Sequence, residues 1–166
     1  MDNKQFTFLR LNSEYGDVSS SLFYNYDEIK VLKVLQETDN PEFDIIVHRY
    51  FENKWLGYGA FNNFTNKLIG YCFVKHPNER PETSTVVHSY YRNLNIGTLL
   101  RNYVIDDCIK YKRIVGNIIY SACNKNNIPS LKSLLNSGYK IITITEDNNI
   151  QLEYHIENGL KEKIIL

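Results

Sequence analysis

The residues best placed to do chemistry lie in one stretch, Val86-Val87-His88-Ser89-Tyr90-Tyr91-Arg92-Asn93-Leu94-Asn95-Ile96-Gly97-Thr98-Leu99-Leu100. A β-branched run leaves a strand, crosses a polar loop and enters an amphipathic helix. The first turn of a helix carries backbone N–H groups with no partner inside the helix, and the helix dipole adds partial positive charge there. Together these make a site for an anion such as a phosphate. Gly97 would let that anion approach the main chain where a Cβ would stand in the way, and Arg92 adds a charge at the mouth of the loop.

The same stretch resembles the acetyl-CoA-binding motif of the GNAT superfamily of N-acetyltransferases. That motif is an apolar strand, often a Tyr, then Arg or Gln, two variable residues, Gly, one residue, and Gly or Ala. Here it reads Tyr91-Arg92-Asn93-Leu94-Asn95-Ile96-Gly97. Asn95 stands in place of the first glycine, and after glycine Asn is the residue that best tolerates a left-handed backbone. The family's second motif is an Asn, a small residue three places on, then Gly and an aromatic eleven and twelve places on. Asn127, Ser130, Gly138 and Tyr139 fill those positions in order. The resemblance covers roughly residues 55 to 156.

The resemblance implies acetyl-CoA as co-substrate and no metal. Backbone groups of Thr85, Val86 and Val87 would pair with the pantetheine arm as an added strand. The Thr85 amide would polarise the thioester carbonyl as an oxyanion donor. Amides of Asn93, Leu94, Asn95, Ile96, Gly97 and Thr98 would hold the pyrophosphate, with Arg92 beside them. The Asn127 side chain would contact the cofactor arm, and it also suits a helix cap; Ser130 would pack or cap.

The proton-transfer groups do not carry over. Direct acyl transfer needs an uncharged amine, and the leaving thiolate benefits from a proton donor. Where many members have a Tyr seven residues after the motif Asn, this chain has Leu134, and where some have a Glu five residues before it, this chain has Ala122. Positions that carry an acid on the entering strand in others are Thr83 and Pro81. For Glu82 beside them and for nearby Glu79 the ordinary reading is a solvated loop acid; of the two, Glu82 is the candidate base. Histidine is a residue type suited to proton transfer, but His88 leaves a strand where surface histidines are common. Tyr120 suits a core role as well as proton donation. Cys123 could form an acyl-enzyme, yet no local His–Asp pattern accompanies it, and a buried structural thiol is the ordinary reading.

Several elements must position these groups. Phe6 to Leu11 reads as a first strand, residues 18 to 37 as one or two helical stretches, and Asn40-Pro41-Glu42 as the start of a helix to about Asn53. Trp55 to Ala60 and Leu68 to Lys75 form a hairpin pattern, followed by Thr83 to Val87. A helix begins near Ile96 with a stripe of Ile96, Leu99, Leu100, Tyr103, Val104 and Cys108. Ile114 to Cys123 reads as a strand, Pro129 to Leu135 as a short helix stopped by Gly138, and Tyr139 to Glu146 with Ile150 to Ile156 as a closing hairpin. Residues 157 to 166 read as a tail. The order predicts an α/β fold, a GNAT-like mixed, mostly antiparallel sheet of six to seven strands flanked by helices, in one domain over residues 1–166. It does not suit a doubly wound nucleotide fold, which alternates strand and helix throughout.

Composition narrows the partners. At 166 residues the chain is sized for one domain. Lys+Arg and Asp+Glu both number 19, so no basic surplus offers a stripe for nucleic acid. A tRNA-directed enzyme is disfavoured on that ground. Cys72, Cys108 and Cys123 show neither zinc nor disulfide spacing. They predict a reduced, cytoplasmic protein, and no apolar run suits a signal peptide or a membrane span. The expected activity is transfer of an acetyl or short acyl group to a primary amine of a small molecule or protein. A catalytically silent coenzyme-A-binding domain of the same fold is the alternative, and a homodimer is compatible with either.

Overall fold

The computed structural model describes residues 5–10, 56–65 and 68–156. The helices expected over residues 18 to 37 and 40 to 53, Trp55 and the tail from 157 lie outside the described residues. Seven strands form one sheet: β1 (Phe6–Arg10), β2 (Leu56–Asn62), β3 (Leu68–Lys75), β4 (Glu82–Val87), β5 (Ile118–Asn124), β6 (Lys140–Ile144) and β7 (Asn149–His155). Their order across the sheet is β1-β2-β3-β4-β5-β7-β6. Two helices, α1 (Ile96–Tyr111) and α2 (Ile128–Asn136), connect β4 to β5 and β5 to β6. Every described pairing is antiparallel except β4 with β5. That exception follows from connectivity, because the β4–α1–β5 crossover returns the chain in the same direction.

Apolar positions of α1 meet the sheet. Ile96, Leu100, Val104 and Cys108 are buried against Cys72 and Val74 of β3, Ile119 of β5 and Leu152 of β7. Each aliphatic side chain so buried contributes roughly 1.5–3 kcal/mol. The helix is rotated slightly from the expected stripe. Arg101, Ile105 and Asp107 turn inward, while Tyr103 stays 45% exposed and stacks on Phe8 and Tyr58 at 5.2 and 5.5 Å. Among the described residues, no helix is long and apolar enough to cross a membrane.

One strand boundary moved in a way that the contacts explain. β5 begins at Ile118 rather than Ile114, because the Val115 amide donates to the Pro77 carbonyl at 2.8 Å and Gly116 turns with φ 72°. That bend uses two β-branched residues outside the sheet. After α2, Gly138 takes φ 95°, and a Cβ there would stand 3.0 Å from the Tyr154 ring. Gly138→Ala should therefore lose about 1–3 kcal/mol from backbone strain and ring displacement, read as a lower urea midpoint.

Candidate functional site

β4 pairs with β3 along its whole length, from Glu82–Lys75 to Val87–Gly70. Toward β5 it has a single register partner, Glu82 with Tyr120. The Tyr120 amide donates to the Pro81 carbonyl at 2.8 Å and the Ser121 hydroxyl to the Thr83 carbonyl at 3.2 Å. Beyond Thr83 the two strands part. The His88 amide donates to the Ile69 carbonyl at 2.8 Å, and antiparallel main-chain groups alternate in direction. Val86 therefore turns its amide and carbonyl into the β3 ladder, whereas Thr85 and Val87 turn theirs toward the fork. An added strand along this edge would pair with Thr85 and Val87; Val86 supplies no main-chain group to it.

The loop after β4 is held by its own side chains. A short 3₁₀ turn, Ser89–Tyr91, is capped by His88, whose Nδ1 accepts from the Tyr90 amide at 3.3 Å. His88 also stacks on Tyr90, a structural use for the histidine weighed as a base. The Tyr91 ring meets Phe6 edge-on, and its hydroxyl accepts from the Asn62 amide group at 3.2 Å. Arg92 reaches back so that its Nε donates to the Val87 carbonyl at 3.1 Å, bracing the end of the open edge.

Asn93 and Asn95 both adopt left-handed backbone, with φ 63° and 61°. Asn95 is the N-cap of α1 and makes no side-chain capping hydrogen bond. The first intrahelical bond runs from the Leu99 amide to the Asn95 carbonyl at 3.1 Å, so the amides of Ile96, Gly97 and Thr98 precede it without helical partners. Leu94 is 36% exposed beside them. An uncapped turn of amide donors beside the open edge of β4 suits an anion attached to an extended chain. The Gly97 reading needs a correction in detail: a Cβ there would face Val87, Ser133 and Thr85 at 3.5–3.7 Å rather than cover the amides. That is ordinary contact, so a methyl group fits the α1–β4–α2 junction.

Sequence reasoning passed over one member of this junction. Arg101 is 3% exposed, and its Nη1 donates to Ser133 Oγ at 2.8 Å and Ser137 Oγ at 3.3 Å. Ser133 Oγ also bonds Thr98 Oγ1 at 2.9 Å. A charged residue four places after Gly97, inside the apolar face, was the available signal.

On α2, Asn127 caps the helix and accepts from the Ser130 amide at 3.3 Å. Leu134 is buried, so the position that would carry a Tyr donor presents an aliphatic side chain. At the foot of the fork, Glu82 and Tyr120 are cross-strand neighbours, and Glu153 flanks Tyr120 on β7. The Arg80 guanidinium lies 3.9 Å from the Tyr120 ring centroid, and His155 pairs with Glu153 at 2.9 Å. Glu79 is exposed in the turn before β4.

Cys123 lies on β5 across the fork from β4. Burial pushes its thiol up from the ordinary range, and Arg101 opposes this. Burial does the same to Cys72, and pushes Cys108 up to about 12. None is poised as a thiolate nucleophile at neutral pH. The native chain should resist iodoacetamide at neutral pH, while the urea-unfolded chain takes up a label on each of Cys72, Cys108 and Cys123 by mass.

No family model matches this sequence, and no curated protein matches it. Solved structures do. The spermidine/spermine N-acetyltransferase of Vibrio cholerae, in mutant form, aligns with TM-score 0.61 at 13% identity, over 97% of this chain and 99% of that one. The ribosomal-protein-S5-alanine acetyltransferase of Vibrio fischeri aligns with TM-score 0.59 at 14% identity, over 95% and 97%. A GNAT-family acetyltransferase of Bacillus anthracis aligns with TM-score 0.56 at 15% identity, over 75% and 82%. With a mostly antiparallel seven-stranded sheet that forks beside an uncapped helix, this chain has the fold of the GNAT-family acetyltransferases.

Proposed function

We propose that this chain is a coenzyme-A-dependent N-acyltransferase that moves an acetyl or short acyl group to a primary amine of a small molecule or protein. The observation that carries the reading is the open β4 edge running into the uncapped first turn of α1. Thr85 and Val87 offer main-chain donors and acceptors to an extended arm, and Ile96 to Thr98 offer amides to a diphosphate. Acetyl-CoA would supply an activated thioester there. The Thr85 amide then donates to the carbonyl oxygen as negative charge develops on it. Glu82, at the foot of the fork, takes the proton that the attacking amine loses, directly or through water. The new C–N bond replaces the C–S bond, and the departing thiolate takes up that proton, from Glu82 or through water, so coenzyme A leaves as the thiol. The similar Vibrio structures are named for spermidine/spermine and for an alanine of ribosomal protein S5, which supports an amine acceptor. The reading places the protein in the cytoplasm, acting without metal, membrane or nucleic acid.

Thermal unfolding with acetyl-CoA at ~100 times its Kd should raise the midpoint by about 5–10 °C. A panel of amines should then release free thiol in steady state. Failure to bind coenzyme A at all would sink the proposal. A second reading, a coenzyme-A-binding domain without catalysis, is favoured by Leu134 and Ala122 standing where similar enzymes place a Tyr and a Glu. Tight binding without thiol release from any amine would select it.

A further inference from the structure

Arg101 is a buried cation without a counter-charge among the described residues. The two ion pairs made there by other buried or half-buried arginines both go to Asp107. Arg101 instead meets the neutral hydroxyls of Ser133 and Ser137, and its buried Nε has no hydrogen-bond partner among the described residues. A charge held out of water without an opposite charge destabilises the protein that holds it. The position it occupies is informative. Arg101 lies one helical turn after Gly97, and helical side chains lean back toward the N-terminus of their helix. The Ser133 hydroxyl that it contacts also bonds Thr98, a residue of that first turn. Its field reaches the fork as well, since it opposes the burial-driven rise of the Cys72 and Cys123 thiols on β3 and β5.

We propose that Arg101 is a positioning residue for the cofactor anion: its counter-charge arrives with the diphosphate bound at the first turn of α1. The inference rests on the coenzyme A reading above. It also explains why the first turn is tied to α2 by Thr98–Ser133–Arg101. The same network holds the amides of Ile96 to Thr98 in place and sets a full positive charge behind them. Binding of the anion then relieves a penalty that the empty protein carries.

A plain strut between α1 and α2 would predict the opposite sign for the empty protein, which makes the roles separable. Arg101→Met keeps the length and apolar stem without the charge. Its empty form should melt at or above the wild-type midpoint, while its Kd for coenzyme A by calorimetry rises about tenfold. Arg101→Lys keeps the charge without the two-serine fork and should stay within about threefold of wild-type affinity. A lower midpoint for Arg101→Met with Kd within about twofold of wild type makes Arg101 a strut and overturns the proposal. Should Arg101→Met lose both stability and affinity, the lysine variant decides: restored affinity supports the counter-charge, and unrestored affinity refutes it. Wild-type protein that binds no coenzyme A fails the underlying reading instead, a result seen before any variant is measured.

Discussion

Gly97→Asp should raise the Kd for coenzyme A more than about 100-fold, roughly 2.7 kcal/mol, and erase the acetyl-CoA thermal shift. The substitution acts at the first turn of α1, where Ile96, Gly97 and Thr98 precede the first helical bond. A Cβ at 97 meets Val87, Ser133 and Thr85 at ordinary contact distances, so Gly97→Ala serves as the control and should bind nearly as wild type. The carboxylate is what distinguishes the variants. Its Cβ faces the α1–β4–α2 junction, so the negative charge lies behind the donors that would otherwise hold a dianion. It also stands four residues before Arg101, the spacing at which opposite charges pair along a helix. The introduced acid would thus occupy the same positive field that the diphosphate needs. An acid near a helix N-terminus is favourable for the helix itself, so the empty variant should remain folded, and lost binding would not reflect lost structure. An undiminished shift in Gly97→Asp would rule out this turn as the diphosphate site.

What the sequence displayed of this site was its local main-chain part. The loop could be read because a strand exit, an asparagine tolerant of left-handed backbone and a helix start are all properties of consecutive residues; Asn95 does take positive φ, and Asn93 does so without having been singled out. Strand boundaries followed residue type until tertiary contacts intervened: Ile114 and Val115 have strand propensity, but the Pro77 carbonyl captures the Val115 amide in a bend. The fork itself was not legible from composition or spacing. It is defined by pairs that stop after Glu82 and Tyr120, and an end to pairing leaves no mark on either strand. Direction was equally hidden: Val86 and Thr85 look alike as strand residues, yet only the ladder to β3 shows which of them faces the fork. Arg101 and Ser133 are separated by 32 positions, and their junction exists only once α1 and α2 pack together. Of the two roles weighed for Asn127, the structure shows the cap, whose partner is the Ser130 amide.

The opposite end of α1 should be where stability is most sensitive to a single charge. Asp107→Ala is expected to cost about 3–5 kcal/mol, a large share of a typical domain's stability, read as a lower urea midpoint at unchanged slope. Asp107 is 9% exposed and pairs with Arg10, itself 6% exposed. Arg113 Nε approaches its other oxygen at 3.6 Å, and the Tyr58 hydroxyl donates to Asp107 Oδ1 at 3.4 Å. Burial, then the neighbouring carboxylate, holds the Tyr58 hydroxyl above its ordinary pKa, so it remains a neutral donor. Removing the carboxylate would leave the Arg10 and Arg113 guanidinium groups beside the Tyr111 ring, 5.1 and 5.0 Å from its centroid, without the acid that pairs with both among the described residues. Arg10 could not compensate easily, because its Nε and Nη1 already lack hydrogen-bond partners among the described residues. The double variant Arg10→Met/Asp107→Leu should recover most of the loss, since apolar side chains of similar volume often replace a buried ion pair at little cost. Coenzyme A affinity per folded molecule should not change in either variant, because this cluster joins β1 and β2 to the last turns of α1. A single mutant that loses less than about 1 kcal/mol would mean that water already reaches the Arg10–Asp107 pair.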